Sequence, residues 1–314
     1  MQNKTAILGT AYGYPIEQLE PFLRSCHDSI PTADVFLFTD RVGGHDVDAA
    51  RRYCPNCQLM RPRDIGMRRH FKKLKRGHRL LSLILLALGR RFTRSDSYSQ
   101  LITGAFGVAI ARYLWYFDWI RKSHAAKYER ILLCDTRDVI LQSDPFRAPF
   151  SGRLFCGQEP IALQACPVNS PWFRICYGDA GLKQIAGYPV LCSGVTGGAA
   201  EAIEEYLAAM CLEIMRLGGK VVRGNGLDQA IHNHLLRFSD LATQVDFCDR
   251  HSSRLVTMHY MRAEEIDVWS DQSLRTKQGE LISIVHQYDR HPGLCDTVNR
   301  CFRSVENTTG ASGS

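Results

Sequence analysis

The sequence predicts a single-domain α/β fold in which helices flank a mainly parallel sheet. Three observations lead to this fold class. Short apolar stretches alternate with stretches that have the 3.6-residue spacing of helices. The 314 residues, 45% of them hydrophobic, are enough to bury a large core. Polar side chains directly follow several apolar stretches, as in parallel sheets, whose ligands bind at the carboxyl ends of the strands.

The first sixty residues contain three of the predicted strands. These strands lie at residues 5–10 (TAILGT), 33–40 (ADVFLFTD) and 57–62 (CQLMRP). The second ends at an acid, Asp40. Residues 16–29 have helical spacing and connect the first two strands. A strand, a helix and a second strand in this order indicate parallel pairing.

The middle of the chain adds a helix and a strand. Residues 106–123 predict an amphipathic helix that packs on the sheet, with Arg112 off its apolar stripe. Residues 131–135 (ILLCD) predict a buried strand that ends in an acid. The apolar stripe of the helix consists of Phe106, Ile110, Tyr113, Leu114, Phe117 and Ile120.

The last third of the chain continues the pattern. Residues 189–198 (PVLCSGVTGG) predict a strand that breaks into a glycine-rich turn. Residues 199–219 predict a helix that ends at a glycine pair, and residues 227–238 a shorter helix with Asp228 in its first turn. Residues 281–292 (LISIVHQYDRHP) predict a late strand that runs into a polar loop.

One segment is strongly basic. Ten Lys and Arg residues and no Asp or Glu lie between residues 65 and 95, so the net charge of +7 is a local property. Its apolar residues 80–89 are too few to cross about 30 Å of hydrocarbon as a helix. Segment 66–94 is therefore either a buried helix preceded by solvent-exposed basic residues or a helix that lies on an anionic membrane surface. No nucleic-acid motif accompanies it, which disfavours nucleic acid as a partner.

We predict one domain over residues 1–304, including the basic segment, and a disordered tail at residues 305–314. The N-terminal sequence lacks the basic and long apolar regions of a signal peptide. Most of the twelve cysteines stand in apolar contexts, which is typical of reduced core thiols. These features predict a cytoplasmic protein, and the basic segment adds peripheral contact with the inner face of the membrane.

Two acids, Asp135 and Asp138, follow the buried strand at residues 131–135. This arrangement is costly, because clustered buried carboxylates repel one another and lose hydration. A divalent cation removes the cost, and Mn²⁺ or Mg²⁺ prefers such oxygen ligands, with phosphates completing the ligand set. The acids share a site only if the chain turns at Thr136 and Arg137, since positions i and i+3 of a flat strand face opposite sides. In the alternative, Asp138 pairs with Arg137 or caps a turn.

The order of motifs resembles that of the GT-A fold glycosyltransferases, which have a Rossmann-like fold and transfer sugars from nucleotide-diphospho-sugars. Within this family, the motifs resemble those of the retaining galactosyltransferase and glycogenin-like group. Residues 134–146 (CDTRDVILQSDPF) resemble the Asp-x-Asp motif of this family. The resemblance covers residues 5–295, and five weak motifs in order make it specific. It implies a metal site formed by Asp138, Asp135 and His286, with His291 as the second choice for the histidine.

Other motifs imply contacts with the donor. Arg112 corresponds to an arginine that touches the donor sugar, and residues 191–198 (LCSGVTGG) resemble a segment that lines the sugar pocket. In residues 226–235 (GLDQAIHNHL), the predicted catalytic residues are Asp228, which would hold sugar hydroxyls, and Gln229, which would lie beside the anomeric carbon. The residues expected to bind the nucleotide sugar are Thr10, Ala11, Tyr12, Asp40, Arg112, Asp135, Thr136, Arg137, Ser193, Gly194, Asn233 and Arg290.

Two departures from the family pattern matter. The acids are separated by one extra residue, so Asp138 aligns best with the metal-binding acid and Asp135 binds either metal or ribose. Cys192 stands where related enzymes often have asparagine, so a donor contact is lost or replaced.

The resemblance implies transfer of a sugar from a UDP- or GDP-sugar to a hydroxyl of a glycan or lipid-linked acceptor, as in envelope glycan synthesis. If the reaction inverts configuration, Asp228 is the candidate general base. If it retains configuration, the leaving phosphate can take the acceptor proton. A non-catalytic module that binds nucleotide sugars at a membrane surface and a metal-dependent phosphate hydrolase are the alternatives. The spacing of Asp135 and Asp138 disfavours a phosphatase with an aspartate nucleophile.

Deletion of residues 66–91 is expected to abolish binding to anionic vesicles at low salt, because each basic residue near such a surface contributes about 1 kcal/mol. Co-sedimentation with phosphatidylserine vesicles measures this binding, and phosphatidylcholine vesicles are the control. An intact chain that stays in the supernatant with the anionic vesicles would contradict the prediction.

Overall fold

The computed structural model describes residues 4–64, 103–104, 106–124, 127–149, 152–222 and 226–303. The predictions for the basic segment 66–94 and for the tail at residues 305–314 fall outside the described residues. Among the described helices, none is both long and apolar enough to pass through a membrane.

The central sheet has seven described strands, which are β1 (Thr5–Thr10), β2 (Asp34–Phe38), β3 (Cys57–Met60), β4 (Arg130–Asp135), β6 (Leu154–Ala162), β7 (Pro189–Ala199) and β8 (Val245–Cys248). Their order in the sheet is β3-β2-β1-β4-β7-β6-β8. β7 pairs antiparallel with both of its neighbours, and all other pairs in this sheet are parallel. The predicted mainly parallel α/β sheet is therefore confirmed.

Helices cover both faces of the sheet, because successive side chains of a strand point to opposite sides. The described helices are α1 (Glu20–Ser29), α2 (Gly44–Tyr53), α3 (Val108–Trp119), α4 (Asn169–Ile185), α5 (Ala200–Leu217), α6 (Leu227–Phe238) and α7 (Pro292–Phe302). In β1, Ala6 and Leu8 join the core under α3, α4, α5 and α6, whereas Ile7 joins the core under α1 and α2. The sequence indicated α1, α3, α5 and α6, but α2, α4 and α7 were not predicted.

The prediction for α3 needs a correction. Leu114 and Phe117, which the sequence places on the apolar stripe, are only half-buried, whereas Trp115 and Trp119 are buried. Arg112, predicted to lie off the stripe, is 8% exposed. The helix is therefore buried around most of its circumference, since aromatic residues also pack beside the predicted stripe.

A second, three-stranded sheet was not predicted, and it positions part of the site. Its order is β5-β12-β9, with strands β5 (Val139–Leu141), β9 (Leu255–Thr257) and β12 (Ile284–His286). The remaining two strands, β10 (Asp267–Val268) and β11 (Leu274–Arg275), form a small hairpin. The predicted late strand at residues 281–292 is thus only three residues long, and it pairs antiparallel with β5.

Asn233 fastens α6 to β7. Its Oδ1 accepts from the backbone N–H of Leu191 at 2.8 Å, and its Nδ2 donates to the carbonyl oxygens of Leu191 at 2.7 Å and Gln229 at 2.8 Å. The side chain has no exposed surface. Its hydrogen-bonding groups are therefore used to hold a helix against a strand.

Asn233→Ala is expected to lower the free energy of unfolding by about 2 to 4 kcal/mol, because it leaves the two backbone groups of Leu191 buried without this partner. Asn56 offers a matched control, since the hydrogen bond that its side chain donates to the carbonyl of Pro31 is exposed. Asn56→Ala is expected to cost less than about 1 kcal/mol. Urea denaturation measures both, and equal losses for the two variants would refute the role given to Asn233.

Candidate active site

Three potential metal ligands meet where the two sheets adjoin. One ligand atom from each of Asp135, Asp138 and His286 lies within 4.8 Å of the other two. His286 Nε2 is 3.7 Å from Asp135 Oδ2 and 3.9 Å from Asp138 Oδ1. His291, the second choice for the histidine, instead lies with its Nε2 3.3 Å from the carbonyl oxygen of Met258.

The backbone explains how acids three residues apart come together. β4 ends at Asp135 and β5 begins at Val139, so the chain turns between them. The hydroxyl of Thr136 fastens this turn by donating to the carbonyl oxygen of Thr10 at 2.9 Å. Pairing of Val139 with His286 then brings the histidine beside Asp138. The turn at residues 136–138 is the one that the shared site requires.

These three groups fit a divalent cation. His286 is fully buried, and its Nε2 has no hydrogen-bond partner within the part of the chain that the structure describes. Burial, together with the neighbouring acids, raises the pKa of Asp138 above its usual range. A buried cluster with an unsatisfied nitrogen and a costly carboxylate charge is what a bound cation would stabilise.

The charge of His286 also responds to this cluster. Burial alone lowers the pKa of a histidine, but Cys192 and the carboxylates of Asp135 and Asp138 outweigh burial and raise the pKa of His286.

Arg137 pairs more closely with Asp289 than with Asp138. Its Nη2 is 2.9 Å from Asp289 Oδ2 and 3.8 Å from Asp138 Oδ2. The alternative in which Asp138 serves mainly as a partner of Arg137 is therefore disfavoured.

Arg112 connects Asp135, on the predicted metal side, to Asp228, on the predicted sugar side. Its Nη1 pairs with Asp135, and its Nη2 donates to Asp228 Oδ2 at 2.8 Å and to the carbonyl oxygen of Ser193 at 3.2 Å. Asp135 points to α3 because it continues the alternation of Ile131 and Leu133, which face the same core.

The guanidinium of Arg112 affects the pKa of both Asp135 and Asp228. Burial raises the pKa of Asp135, but Arg112 and His286 outweigh burial and bring it down to about 2. At Asp228, which is 3% exposed, burial prevails over Arg112 and the pKa is raised. The two carboxylates thus differ in basicity although they share one cation.

Gly194 allows β7 to pass directly against the cluster of Asp135, Asp138 and His286. A Cβ atom at this position would lie 2.3 Å from His286 Cε1 and 2.8 Å from Asp135 Oδ2. Any side chain here would displace the histidine or the acid. Ser193, the preceding residue, contributes its hydroxyl to Asp228 Oδ2 at 3.3 Å.

Gln229 lies one residue beyond Asp228, in the first turn of α6, and joins a second polar cluster. Its Oε1 accepts from the backbone N–H of Ser193 at 3.4 Å, and its Nε2 donates to Asn169 Oδ1 at 2.7 Å and to Glu159 Oε1 at 3.5 Å. Glu159 is 1% exposed, and its Oε2 lies 3.3 Å from His259 Nδ1.

Sequence reasoning missed Glu159, Asn169 and His259. Glu159 stands in β6, close behind apolar residues that end with Cys156. The rule that singled out Asp135, an acid at the end of a buried strand, applies to it as well. Asn169 and His259 gave no comparable signal. Asn169 begins a helix that was not predicted, and His259 comes shortly after a three-residue strand that was not predicted either.

The residues expected at the nucleotide lie at the end of β1 and beside it. Thr10 pairs with Asp135 in register, and its hydroxyl is 2.6 Å from that of Tyr116. Ala11 is buried, and Asp40 Oδ1 accepts from the backbone N–H of Gly13 at 2.8 Å. The ring of Tyr12 is half-buried, with its centroid 6.5 Å from that of Trp115.

Arg290 and Asn233, which were also expected to contact the donor, lie in different surroundings. Arg290 is exposed, with its Nε 3.8 Å from Asp289 Oδ1, in the loop that follows His286. Asn233 lies under α6 without exposed surface, because Leu191 and Gln229 use its amide. The structure thus assembles Arg112, Asp135, Asp138, Ser193, Gly194, Asp228, Gln229 and His286 into one site, and it keeps the side chain of Asn233 away from the site surface.

Neither a protein-family model nor a curated protein matches the sequence. Two solved structures of the galactosyltransferase LgtC are similar to the whole fold, one of an active-site mutant and one in complex with donor and acceptor sugar analogs. Each is 12% identical and covers 96% of this chain and 98% of its own chain, with TM-scores of 0.52 and 0.50. The chain therefore has the GT-A fold that the order of its motifs indicated.

Proposed function

We propose that the chain is a metal-dependent glycosyltransferase, which moves a sugar from a UDP- or GDP-sugar to an acceptor hydroxyl. The observation that carries the proposal is the convergence of Asp135, Asp138 and His286 beside the contact of Arg112 with Asp228. Both groups lie at the carboxyl end of β4 in a GT-A fold, where α/β sheets bind ligands. One solved structure with this fold, that of LgtC, contains donor and acceptor sugar analogs.

Asp135, Asp138 and His286 would hold Mn²⁺ or Mg²⁺, which would supply Lewis-acid neutralisation of the leaving diphosphate. Carboxylate oxygens suit both of these ions. Arg137 and Arg290 are exposed near Asp289, and they add positive charge on the side where the phosphates would lie.

The residues on α3, β7 and α6 position the donor sugar. Arg112 holds Asp228 at 2.8 Å, and Ser193 adds a hydroxyl to the same oxygen, Oδ2. The other carboxylate oxygen of Asp228, Oδ1, would accept hydrogen bonds from sugar hydroxyls. Gln229 is held in place through both ends of its amide, so its position is fixed before the substrate binds.

Retention of configuration is the proposed outcome. Oδ2 of Asp228 is already committed to Arg112 and Ser193, which disfavours its use as a general base that must take a proton. The sequence motifs also resemble those of the retaining group.

Glu159 marks the side from which the acceptor would arrive. Its carboxylate is buried beside the amide nitrogen of Gln229, and Oε2 has no hydrogen-bond partner among the described residues although His259 lies 3.3 Å away. A buried acceptor atom of this kind can receive a hydrogen bond from a hydroxyl group.

The acceptor and the location are proposed from the sequence. The basic segment 66–94 supports contact with an anionic membrane surface from the cytoplasmic side. Such contact suits a glycan or lipid-linked acceptor, as in envelope glycan synthesis.

A thermal-shift screen of nucleoside diphosphates and their sugars with Mn²⁺ tests the proposal first. A ligand present at about 100 times its Kd adds about 2.7 kcal/mol to the free energy of unfolding. Sugar transfer to glycan acceptors is then measured with the donor that stabilises the protein. Stabilisation without turnover would favour the binding module, and release of phosphate without any nucleotide specificity would favour the hydrolase.

Asp138→Asn is expected to lower the rate of sugar transfer at least about 100-fold, because it removes a charged ligand that would hold the cation. It is also expected to remove the rise in melting temperature that Mn²⁺ produces in the wild-type protein. Asp118→Asn is the matched control, since Asp118 is half-exposed on α3 and pairs with Lys122. If both variants keep their activity and their response to Mn²⁺, the metal site is excluded.

Asp228→Asn is expected to reduce kcat about 100-fold and to leave binding of the nucleoside diphosphate with Mn²⁺ unchanged, because Asp228 faces the sugar side. Titration calorimetry and initial rates separate the two effects. Asp240→Asn, at the exposed position beyond the other end of α6, serves as control. Loss of diphosphate binding together with activity would show that Asp228 does not act on the sugar.

A further inference from the structure

We infer that the ring of Tyr260 is the surface on which the acceptor stacks, and that the acceptor therefore presents a pyranose ring to the protein. The inference rests on the proposed function, and it narrows the acceptor of that function to the sugar of a glycan, free or lipid-linked. A peptide hydroxyl is the competing acceptor.

Tyr260 is a partly exposed aromatic residue in a costly backbone conformation. It is 37% exposed, and its φ of 62° lies in the left-handed region, which residues other than glycine and asparagine rarely adopt. It belongs to none of the hydrophobic clusters that the described residues form, so core packing does not account for this conformation. Residues held in such conformations are typical of ligand sites.

Two neighbours hold the ring of Tyr260 in place. Its hydroxyl lies 3.4 Å from Sγ of Cys166, a residue without exposed surface. The imidazole of His259 lies on its other side, with 4.1 Å between the ring centroids. A ring that is fixed in this way loses little conformational entropy when a ligand binds to it.

The same contacts connect Tyr260 to Gln229, the residue expected beside the anomeric carbon. Sγ of Cys166 accepts from Asn169 Nδ2 at 3.2 Å, and Asn169 Oδ1 accepts from Gln229 Nε2 at 2.7 Å. Two side chains therefore separate the ring of Tyr260 from the place where the new glycosidic bond would form. An acceptor whose hydroxyl reaches that place has its own ring within reach of Tyr260.

A polar pair lies beside the aromatic surface. Nδ1 of His259 is 3.3 Å from Oε2 of Glu159, and Oε1 of Glu159 is 3.5 Å from Gln229 Nε2. Oε2 has no hydrogen-bond partner among the residues that the structure describes. The side chain of His259 is 28% exposed, so the pair reaches the surface through the imidazole.

The two surfaces together match the chemistry of a sugar. A pyranose has a face of C–H groups, which suits the negatively polarised face of a tyrosine ring. It also has hydroxyl groups at its edge, which suit a carboxylate and an imidazole. An aromatic surface with a few polar groups is the usual composition of a small-ligand site. A phosphate group would instead be repelled by the carboxylate of Glu159.

Saturation-transfer difference NMR tests the inference without relying on turnover. The probes are the methyl glycosides of glucose, galactose, mannose and N-acetylglucosamine, measured with the full chain in the presence and absence of UDP and Mn²⁺. Tyr260→Asn removes the ring with a residue that tolerates the left-handed backbone, and Tyr260→Phe keeps the ring. Tyr188→Ala is the matched control, since Tyr188 is another exposed tyrosine, which packs on Phe238.

The wild-type protein is expected to transfer saturation to the C–H protons of at least one glycoside. Tyr260→Asn should weaken binding of that glycoside about 10-fold, whereas Tyr260→Phe and Tyr188→Ala should stay within about twofold of wild type. In the transfer assay, Tyr260→Asn should raise the KM of the acceptor about 10-fold and leave the KM of the nucleotide sugar unchanged, because the ring faces the acceptor.

Undiminished binding of the glycoside by Tyr260→Asn would overturn the inference. A wild-type protein that binds none of the four glycosides, or that transfers sugar to a serine peptide and to none of them, would overturn it as well. Failure of the proposed function has a different signature. In that case no nucleoside diphosphate or nucleotide sugar stabilises the protein, while the NMR spectra still decide whether a sugar binds at Tyr260. Circular dichroism melting of each variant separates these effects from loss of the fold.

Discussion

The contact of a buried arginine with two carboxylates is the interaction on which the site depends. Arg112 reaches from α3 to Asp135 at the end of β4, to Asp228 in α6 and to the backbone of β7. Burial works against its charge, but Tyr113 and the two acids outweigh burial and keep the pKa of Arg112 raised. Removing one partner from such a cluster typically costs about 3 to 5 kcal/mol, because the others stay buried without compensation. The arginine is therefore important to the fold as well as to the proposed chemistry.

The second requirement is that the chain leaves one sheet and enters another. β4 belongs to the seven-stranded sheet, and β5, only three residues later, belongs to the three-stranded sheet with β12. Asp135 and Asp138 lie on either side of this change, and His286 comes from β12, which pairs with β5. A site composed in this way needs both sheets in register. Glycine at position 194 then gives β7 the space to lie against it.

The sequence predicted the parts of the fold that depend on local pattern. Buried strands such as β1 and β4 are continuous apolar runs, and the long helix α5 has a clear spacing and a glycine stop. The three-stranded sheet escaped prediction because its members are three residues long and their pairing is set by distant contacts. Asp135 and Asp138 were evident from their place behind a buried strand. The same rule would have included Glu159, which follows the apolar residues that end with Cys156. Asn233 shows the opposite case, since its motif suggested a ligand contact and its amide is taken by the backbone.

The bonds of that asparagine have a consequence for how substrate meets the protein. α6 carries Asp228 and Gln229, β7 carries Ser193 and Gly194, and two buried hydrogen bonds between Asn233 and Leu191 join the helix to the strand. The half of the site that would face the sugar is therefore rigid before any ligand arrives. Little conformational entropy remains to be lost there on association, so contacts made with a sugar can go almost entirely into affinity and alignment. Whatever movement accompanies turnover has to come from the connections around this rigid unit and not from within it.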